Sequence, residues 1–228
     1  MIDKNYFQCS LSIEQYRGLK NRLNAFIAEN FRDQLKLSCC RILPVITLTA
    51  EEKKIVRNAV NKRCYEFSAG RRCARKCLEF YGITDFSLIK GEYGEPVWPD
   101  GYTGSITHHG NIALSAVTQN YVLKSIGIDL ISTDEVLENS SLILDESEML
   151  LINEMHPDIN SELLIFSIKE AAIKICSPLL QNFIEFRDLK LQKDFYGKLY
   201  VNHPSIEQNI NIKWINSNNF IFSLATFK

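Results

Sequence analysis

Apolar and polar residues recur with different periods along this chain, and the changes of period divide it into elements. Residues 12–30 (SIEQYRGLKNRLNAFIAEN) mix apolar and charged positions loosely, the pattern of a peripheral helix. Residues 41–47 (RILPVIT) are short and β-branched and predict a strand, Pro44 notwithstanding. The run T-A-E-E from Thr49 has capping-box spacing, Thr49 to Glu52, and opens a long helical pattern towards Phe80. That pattern is expected in two pieces, with Gly70 as the weak point and Gly82 as the stop.

Beyond Phe86 the character turns to short strands and turns. Gly91, Gly94, Pro96, Pro99, Gly101 and Gly104 make a loop-rich passage before Ser105-Ile106-Thr107-His108-His109. Residues 112–118 (IALSAVT) alternate as a strand should, and 122–131 (VLKSIGIDLI) predict another. Helical periodicity returns at 145–155 and 162–177, and the tail, 187–227, reads as several short strands with a Tyr196-Gly197 turn. Helices and strands mix in each half without regular alternation, and no internal repeat is visible, so the expected class is α+β.

Composition narrows the function classes. A chain of 228 residues, 46% hydrophobic and 23% charged, has the make-up of an ordinary globular protein of one large or two modest domains. A formal net charge of −1 argues against a dedicated nucleic-acid binder. No apolar run approaches the roughly 20 residues of a membrane span. Met1-Ile2-Asp3-Lys4-Asn5 does not open a secretory signal, so a cytoplasmic setting is expected. The seven cysteines include no C-x-x-C pair. Cys73 and Cys77 share a helical face without the partners a zinc site needs, so reduced, partly buried thiols are expected.

Charge is unevenly spread. Residues 53–76 hold nine Lys or Arg and one acid, Glu66, whereas residues 129–170 hold eleven Asp or Glu and one base, Lys169. Such a chain could hold a polyanion with the first stretch and a divalent cation with the second, or simply present two differently solvated surfaces.

Three segments carry candidate chemistry. In Gly127-Ile128-Asp129-Leu130 a carboxylate interrupts an apolar strand, pointing opposite Ile128 and Leu130. Unpaired burial would be costly, so it meets a cation, a metal or water, unless the strand end is simply exposed. In Phe166-Ser167-Ile168-Lys169-Glu170-Ala171-Ala172-Ile173-Lys174, Glu170 and Lys174 fall on one helical face. Taken alone, that is the spacing of a surface ion pair worth roughly 0.2–0.5 kcal/mol. Gly104-Ser105-Ile106-Thr107-His108-His109-Gly110 gathers hydroxyls and imidazoles in a turn-like setting able to donate to phosphate, or to satisfy its own backbone. Neither a G-x-x-x-x-G-K-[ST] loop nor a G-x-G-x-x-G fingerprint is present.

In order and combination these motifs, KRCYEFSAGRRCAR, KGEYGEPVWPDG, GSITHH, GIDL and FSIKEAAIK across residues 62–174, resemble those of the Sfp-type 4′-phosphopantetheinyl transferases, and more closely their siderophore-associated, EntD-like branch. The resemblance implies a pseudo-dimeric α+β fold of two similar halves with the active site in the cleft between them. Residues 1–122 would supply coenzyme A contacts, and residues 123–228 the metal-binding and catalytic carboxylates. It implies transfer of phosphopantetheine from coenzyme A to a serine of an acyl, aryl or peptidyl carrier protein, by a cytoplasmic monomer using Mg²⁺ or Mn²⁺. Arg63 and Arg71 match residues that hold the 3′-phosphate, and Lys90 a phosphate-contacting lysine. Glu95 and Pro96 match the segment beside the adenine, and Thr107 and His108 the pair on the phosphates. Asp129 and Glu170 match the metal ligands, with Glu170 also the base; Lys169 and Lys174 match the motif's lysines, Lys174 facing the transferred phosphate. Arg72 and Arg75 are left as helix-surface charges.

One position departs from the pattern. Where many members carry Glu two residues after the strand aspartate, this chain has Ile131, so water would complete the metal shell, with Asp134 or Glu135 as weaker substitutes. Two alternatives share the same residues: a metal-dependent coenzyme A pyrophosphatase, and a coenzyme A- or carrier-binding module with impaired catalysis.

Overall fold

The computed structural model describes residues 11–138 and 144–228. The chain forms two compact units, Met1–Val122 and Leu123–Lys228.

In the first unit, α1 (Ile13–Phe31) starts at a capping box in which Ser12 and Gln15 satisfy each other's backbone N–H groups. Its buried residues, Leu19, Leu23, Phe26 and Ile27, repeat at helical spacing and form one apolar stripe. β1 (Lys36–Arg41), β2 (Tyr102–His109) and β3 (Ile112–Gln119) form an antiparallel sheet in the order β1-β3-β2. α2 (Ala50–Ile55) begins at the Thr49–Glu52 capping box, with both of its hydrogen bonds made. α3 (Asn61–Phe80) packs along the sheet, burying Ala74, Cys77 and Leu78 with Leu88 and Val117.

Three local expectations change here. The strand expected at 41–47 lies earlier: β1 ends at Arg41, the Ile42 amide still reaches the Asn111 carbonyl at 2.7 Å, and Pro44 has no N–H to extend the ladder. Leu43, Val45 and Ile46 consequently remain 46–47% exposed. The helical run does divide in two, but between Val56 and Val60 rather than at Gly70, which sits unbroken within α3. A Cβ at Gly70 would stand 2.7 Å from the Ile106 Cγ2, so the glycine lets α3 lie close on β2. Finally, Gly104 to His109 is not a loop but most of strand β2. Gly82, with φ +81°, follows α3 as expected.

The second unit comprises β4 (Ser125–Ser132), α4 (Glu146–Met155), α5 (Ser161–Leu180), a 3₁₀ turn at Phe186–Asp188, and strands β5 (Lys190–Lys193), β6 (Leu199–His203), β7 (Ile206–Ser217) and β8 (Phe220–Phe227). Its sheet is antiparallel throughout, in the order β4-β8-β7-β6-β5. Gly197, with φ +77°, makes the turn between β5 and β6. α5 lies against β4 and β8, its Leu164, Ile168, Ala172 and Ile175 sharing a core with Val201, Ile221 and Ala225. Each unit is therefore a long helix on an antiparallel sheet, and the class is α+β.

Candidate functional site

Basic residues of the first unit converge because α3 and β2 carry them on facing surfaces. Arg63 and Arg71, two helical turns apart, line a cavity of about 350 Å³ with Lys90, Pro96, Ile106 and His108. Arg63 Nη1 lies 2.9 Å from His108 Nε2. Guanidinium only donates, so Nε2 is the acceptor and the imidazole carries its proton on Nδ1. Glu66 stands behind this pair, 3.8 Å from Arg63 and 3.9 Å from His108.

Arg71 is buried, donates from Nε to the Leu88 carbonyl at 2.9 Å, and lies 4.3 Å over the Phe67 ring. Burial pushes its guanidinium down to about 10, opposed by the Glu52 carboxylate. A charge stripped of water in a cavity edged by further cations is a place for an anion.

A network absent from the sequence reading sets Arg71 in position. Glu52, fully buried, accepts two bonds from Arg75 Nη1 at 2.8 Å and one from the Leu88 amide at 3.1 Å. Arg75 is thus an anchor rather than a surface charge. Arg72, the other residue set aside, donates to the Arg41 carbonyl at 2.8 Å and to Cys40 Sγ at 3.2 Å. The capping spacing signalled Glu52 at the sequence level, but not its second role, and Glu66 stood out only as the lone acid of the basic stretch.

Lys90 begins a tight turn in which the Gly91 amide bonds the Glu95 carbonyl at 2.8 Å and Gly94 takes φ +92°. The Glu95 carboxylate folds back to accept from the Tyr93 amide at 3.0 Å, and Pro96, not Glu95, lines the cavity. Thr107 also parts from its expected partner. It is buried on β2 next to His108, and strand alternation turns it to the opposite face from the cavity-lining Ile106 and His108.

In the second unit, Gly127 and Asp129 share a face of β4. A Cβ at Gly127 would come within 1.9 Å of the Ala171 carbonyl oxygen, so only glycine lets α5 approach this closely. Lys174 Nζ then reaches across to Asp129 Oδ1 at 3.0 Å and the Ile128 carbonyl at 2.6 Å. The surface pair that the Glu170–Lys174 spacing allowed gives way to this helix-to-strand one. Burial raises the Glu170 carboxyl, the Lys174 ammonium opposes the rise, and the Asp129 charge adds to it.

Lys169 does not join this group. It is 1% exposed and forms an ion pair with Glu148 at 2.7 Å, while also donating to the Phe186 carbonyl at 3.1 Å. Glu148 in turn accepts from the Leu191 amide at 2.7 Å, so the pair ties α4, α5 and β5 together. Ile131, on the Asp129 face, is packed in the apolar core, and Asp134 and Glu135 stand exposed beyond the strand. Among the described residues, no third Asp, Glu, His or Cys gathers with Asp129 and Glu170. Two carboxylates with a cation already drawn to one of them still fit magnesium, which takes its remaining ligands from water and substrate phosphate.

Two family descriptions match this chain: the 4′-phosphopantetheinyl transferase N-terminal domain over residues 51–118, and the 4′-phosphopantetheinyl transferase superfamily over residues 125–225. The 4′-phosphopantetheinyl transferase PptT of Mycobacterium tuberculosis is 32% identical over 149 residues, 64% of this chain and 65% of that protein. Svp of Streptomyces mobaraensis, also a 4′-phosphopantetheinyl transferase, is 34% identical over 172 residues, 72% of this chain and 70% of its own length. Enterobactin synthase component D of Salmonella typhimurium is 32% identical over 126 residues, 54% of this chain and 52% of that protein. The chain thus spans from about half to 70% of these relatives, and it belongs to the 4′-phosphopantetheinyl transferase family.

Proposed function

We propose that this protein transfers the 4′-phosphopantetheine arm of coenzyme A to a serine of a carrier protein and releases 3′,5′-ADP. The observation that carries the reading is the Asp129–Lys174 contact beside a partly buried Glu170, in a chain whose other unit lines a cavity with Arg63, Arg71, Lys90 and His108.

In this reading the cavity of the first unit takes the 3′-phosphate. Arg63 supplies a forked donor set, His108 holds that fork in orientation, and Arg71 and Lys90 add charge. Pro96 bounds the adenine end, with Glu95 shaping its turn, while Thr107 supports the strand from its other face.

Asp129 and Glu170 would hold Mg²⁺, or Mn²⁺ in its place, which would neutralise the pyrophosphate and ease departure of 3′,5′-ADP. Glu170 takes the proton of the carrier serine; burial has already raised its affinity for that proton. The serine oxygen bonds to the phosphorus that bears pantetheine, and the bridging P–O bond to 3′,5′-ADP breaks. Lys174 commits two of its three ammonium protons to Asp129 and Ile128, leaving one directed donor for the transferring phosphoryl oxygen. Lys169 acts through its ion pair with Glu148, which fixes the helix that presents Glu170 and Lys174.

The carrier we favour is an aryl or peptidyl carrier of siderophore type, supported by the likeness to enterobactin synthase component D, although identity to PptT is equal. A cytoplasmic monomer belongs to the same reading. Among the described residues no helix is long and apolar enough to cross a membrane.

Intact-protein mass spectrometry of an apo carrier domain incubated with this protein, coenzyme A and Mg²⁺ tests the proposal. A gain of about 340 Da on the carrier, lost with EDTA, is expected for one phosphopantetheine phosphodiester. Phosphopantetheine released without a carrier would instead identify a pyrophosphatase. Binding of coenzyme A with no turnover on any carrier would identify a binding module.

A further inference from the structure

A pair of sulfurs lies outside everything the transfer reaction uses. Cys40, on β1 at the edge of the first sheet, and Cys73, on α3, hold their Sγ atoms 3.1 Å apart. That is about 1 Å longer than a disulfide bond of ~2.05 Å. Cys40 is half-buried, and Cys73 is 1% exposed. Arg72 Nη2 lies 3.2 Å from the Cys40 sulfur and places a fixed positive charge against it.

We propose that Cys40 and Cys73 form a peroxide-reactive thiol pair, Cys40 attacking and Cys73 resolving. The proposal is independent of the transferase reading, because neither sulfur takes part in it.

Three observations converge on Cys40 as the attacking sulfur. It alone of the pair has partial access to solvent. Two neighbours donate to it, Cys73 through its thiol and Arg72 through its guanidinium, as a thiolate requires, while in the thiol form its own proton has the Ala69 carbonyl at 3.6 Å as acceptor. The Cys73 hydrogen bond and then Arg72 hold the Cys40 thiol below the ordinary thiol range against the opposing effect of burial. Other thiols of the chain are driven the other way: burial pushes Cys39 and Cys77 of the same unit, and Cys176 of the second unit, up to about 12. Selectivity within one protein is set by this contrast.

The chemistry balances with hydrogen peroxide as the oxidant. The Cys40 thiolate attacks one peroxide oxygen; an S–O bond forms, the O–O bond breaks, and hydroxide leaves to be protonated to water. Cys40 sulfur is oxidised by two electrons to sulfenic acid. The Cys73 sulfur then attacks it, the S–S bond forms, the S–O bond breaks, and the Cys73 proton leaves with the hydroxyl as a second water. Two thiols and one peroxide thus give one disulfide and two waters. The bond would fasten edge strand β1 to the helix that carries Arg63 and Arg71.

Peroxide titration of the whole protein, followed by peptide mapping with free thiols blocked, tests this. A Cys40–Cys73 cross-link about 2 Da lighter than its two thiol peptides is expected. It should form before Cys39, Cys64, Cys77 or Cys176 reacts. In Cys73→Ser the reaction should stop at a sulfenic acid on Cys40 that dimedone captures. Arg72→Gln should slow the cross-link roughly tenfold as the thiolate loses its cation, and Arg72→Lys should restore much of the rate. Circular dichroism identifies the variants that are folded. Oxidation beginning at Cys39, Cys64, Cys77 or Cys176, or a Cys40–Cys73 pair that stays reduced in the folded protein, would overturn the proposal.

Discussion

Gly127 on β4 lies directly beneath the Ala171 carbonyl of α5, with 1.9 Å between that oxygen and the point a Cβ would occupy. The contact brings the helix down far enough for Lys174 to meet Asp129. Gly127→Ala must force backbone from backbone, which neither rotamer change nor a flexible side chain can absorb. We expect a loss of about 1–3 kcal/mol in urea unfolding, together with transfer reduced well beyond what the unfolded fraction explains. A variant with normal stability and turnover would show that the helix approach is not needed.

Glu170→Gln keeps the shape of the side chain and removes its capacity to accept a proton. Transfer to an apo carrier should fall by roughly 10²–10⁴-fold, with the urea midpoint close to that of the parent protein. Wild-type turnover would take Glu170 out of the chemistry.

Arg63→Ala should separate two ligands that differ only in one phosphate. Losing a charge-assisted pair of about 1.5–3 kcal/mol predicts coenzyme A binding weakened by roughly 10- to 100-fold, with dephospho-coenzyme A nearly unaffected. Titration calorimetry with both ligands decides it, and an equal loss for both would move the 3′-phosphate elsewhere.

For Lys169 the expected defect is in folding. Lys169→Ala leaves the Glu148 carboxylate buried without its cation, at a cost of about 3–5 kcal/mol. Pairing Lys169→Met with Glu148→Gln removes both charges and keeps an acceptor for the Leu191 amide, so most of the loss should return. Denaturant melts of the single and double variants give the answer. A stable but inactive Lys169→Ala would return this lysine to the catalytic group.

Local signals were the legible ones. The Thr49–Glu52 cap, the α1 helix and the Gly82 and Gly197 turns depend on neighbours a few residues away, and each stands where the pattern placed it. β1 was displaced because a strand is defined by its partner: pairing with β3 begins at Lys36, where nothing local distinguishes the chain. The family resemblance paired Thr107 with His108 on the phosphates, but the segment is a strand, in which adjacent residues face opposite ways. The helical spacing correctly grouped Glu170 with Lys174 on one face, yet the partner of Lys174 comes from β4 and that of Lys169 from α4. Partners drawn from other elements leave no mark on a periodicity.

The strand that holds Asp129 has β8, the last strand of the described chain, as its hydrogen-bonded neighbour, Asp129 facing Ser223. A growing chain can therefore fold its first unit and lay down α5 while the carboxylate strand still lacks its neighbour. Transfer should then switch on late and all at once, so that a prematurely terminated product is inert rather than partly active.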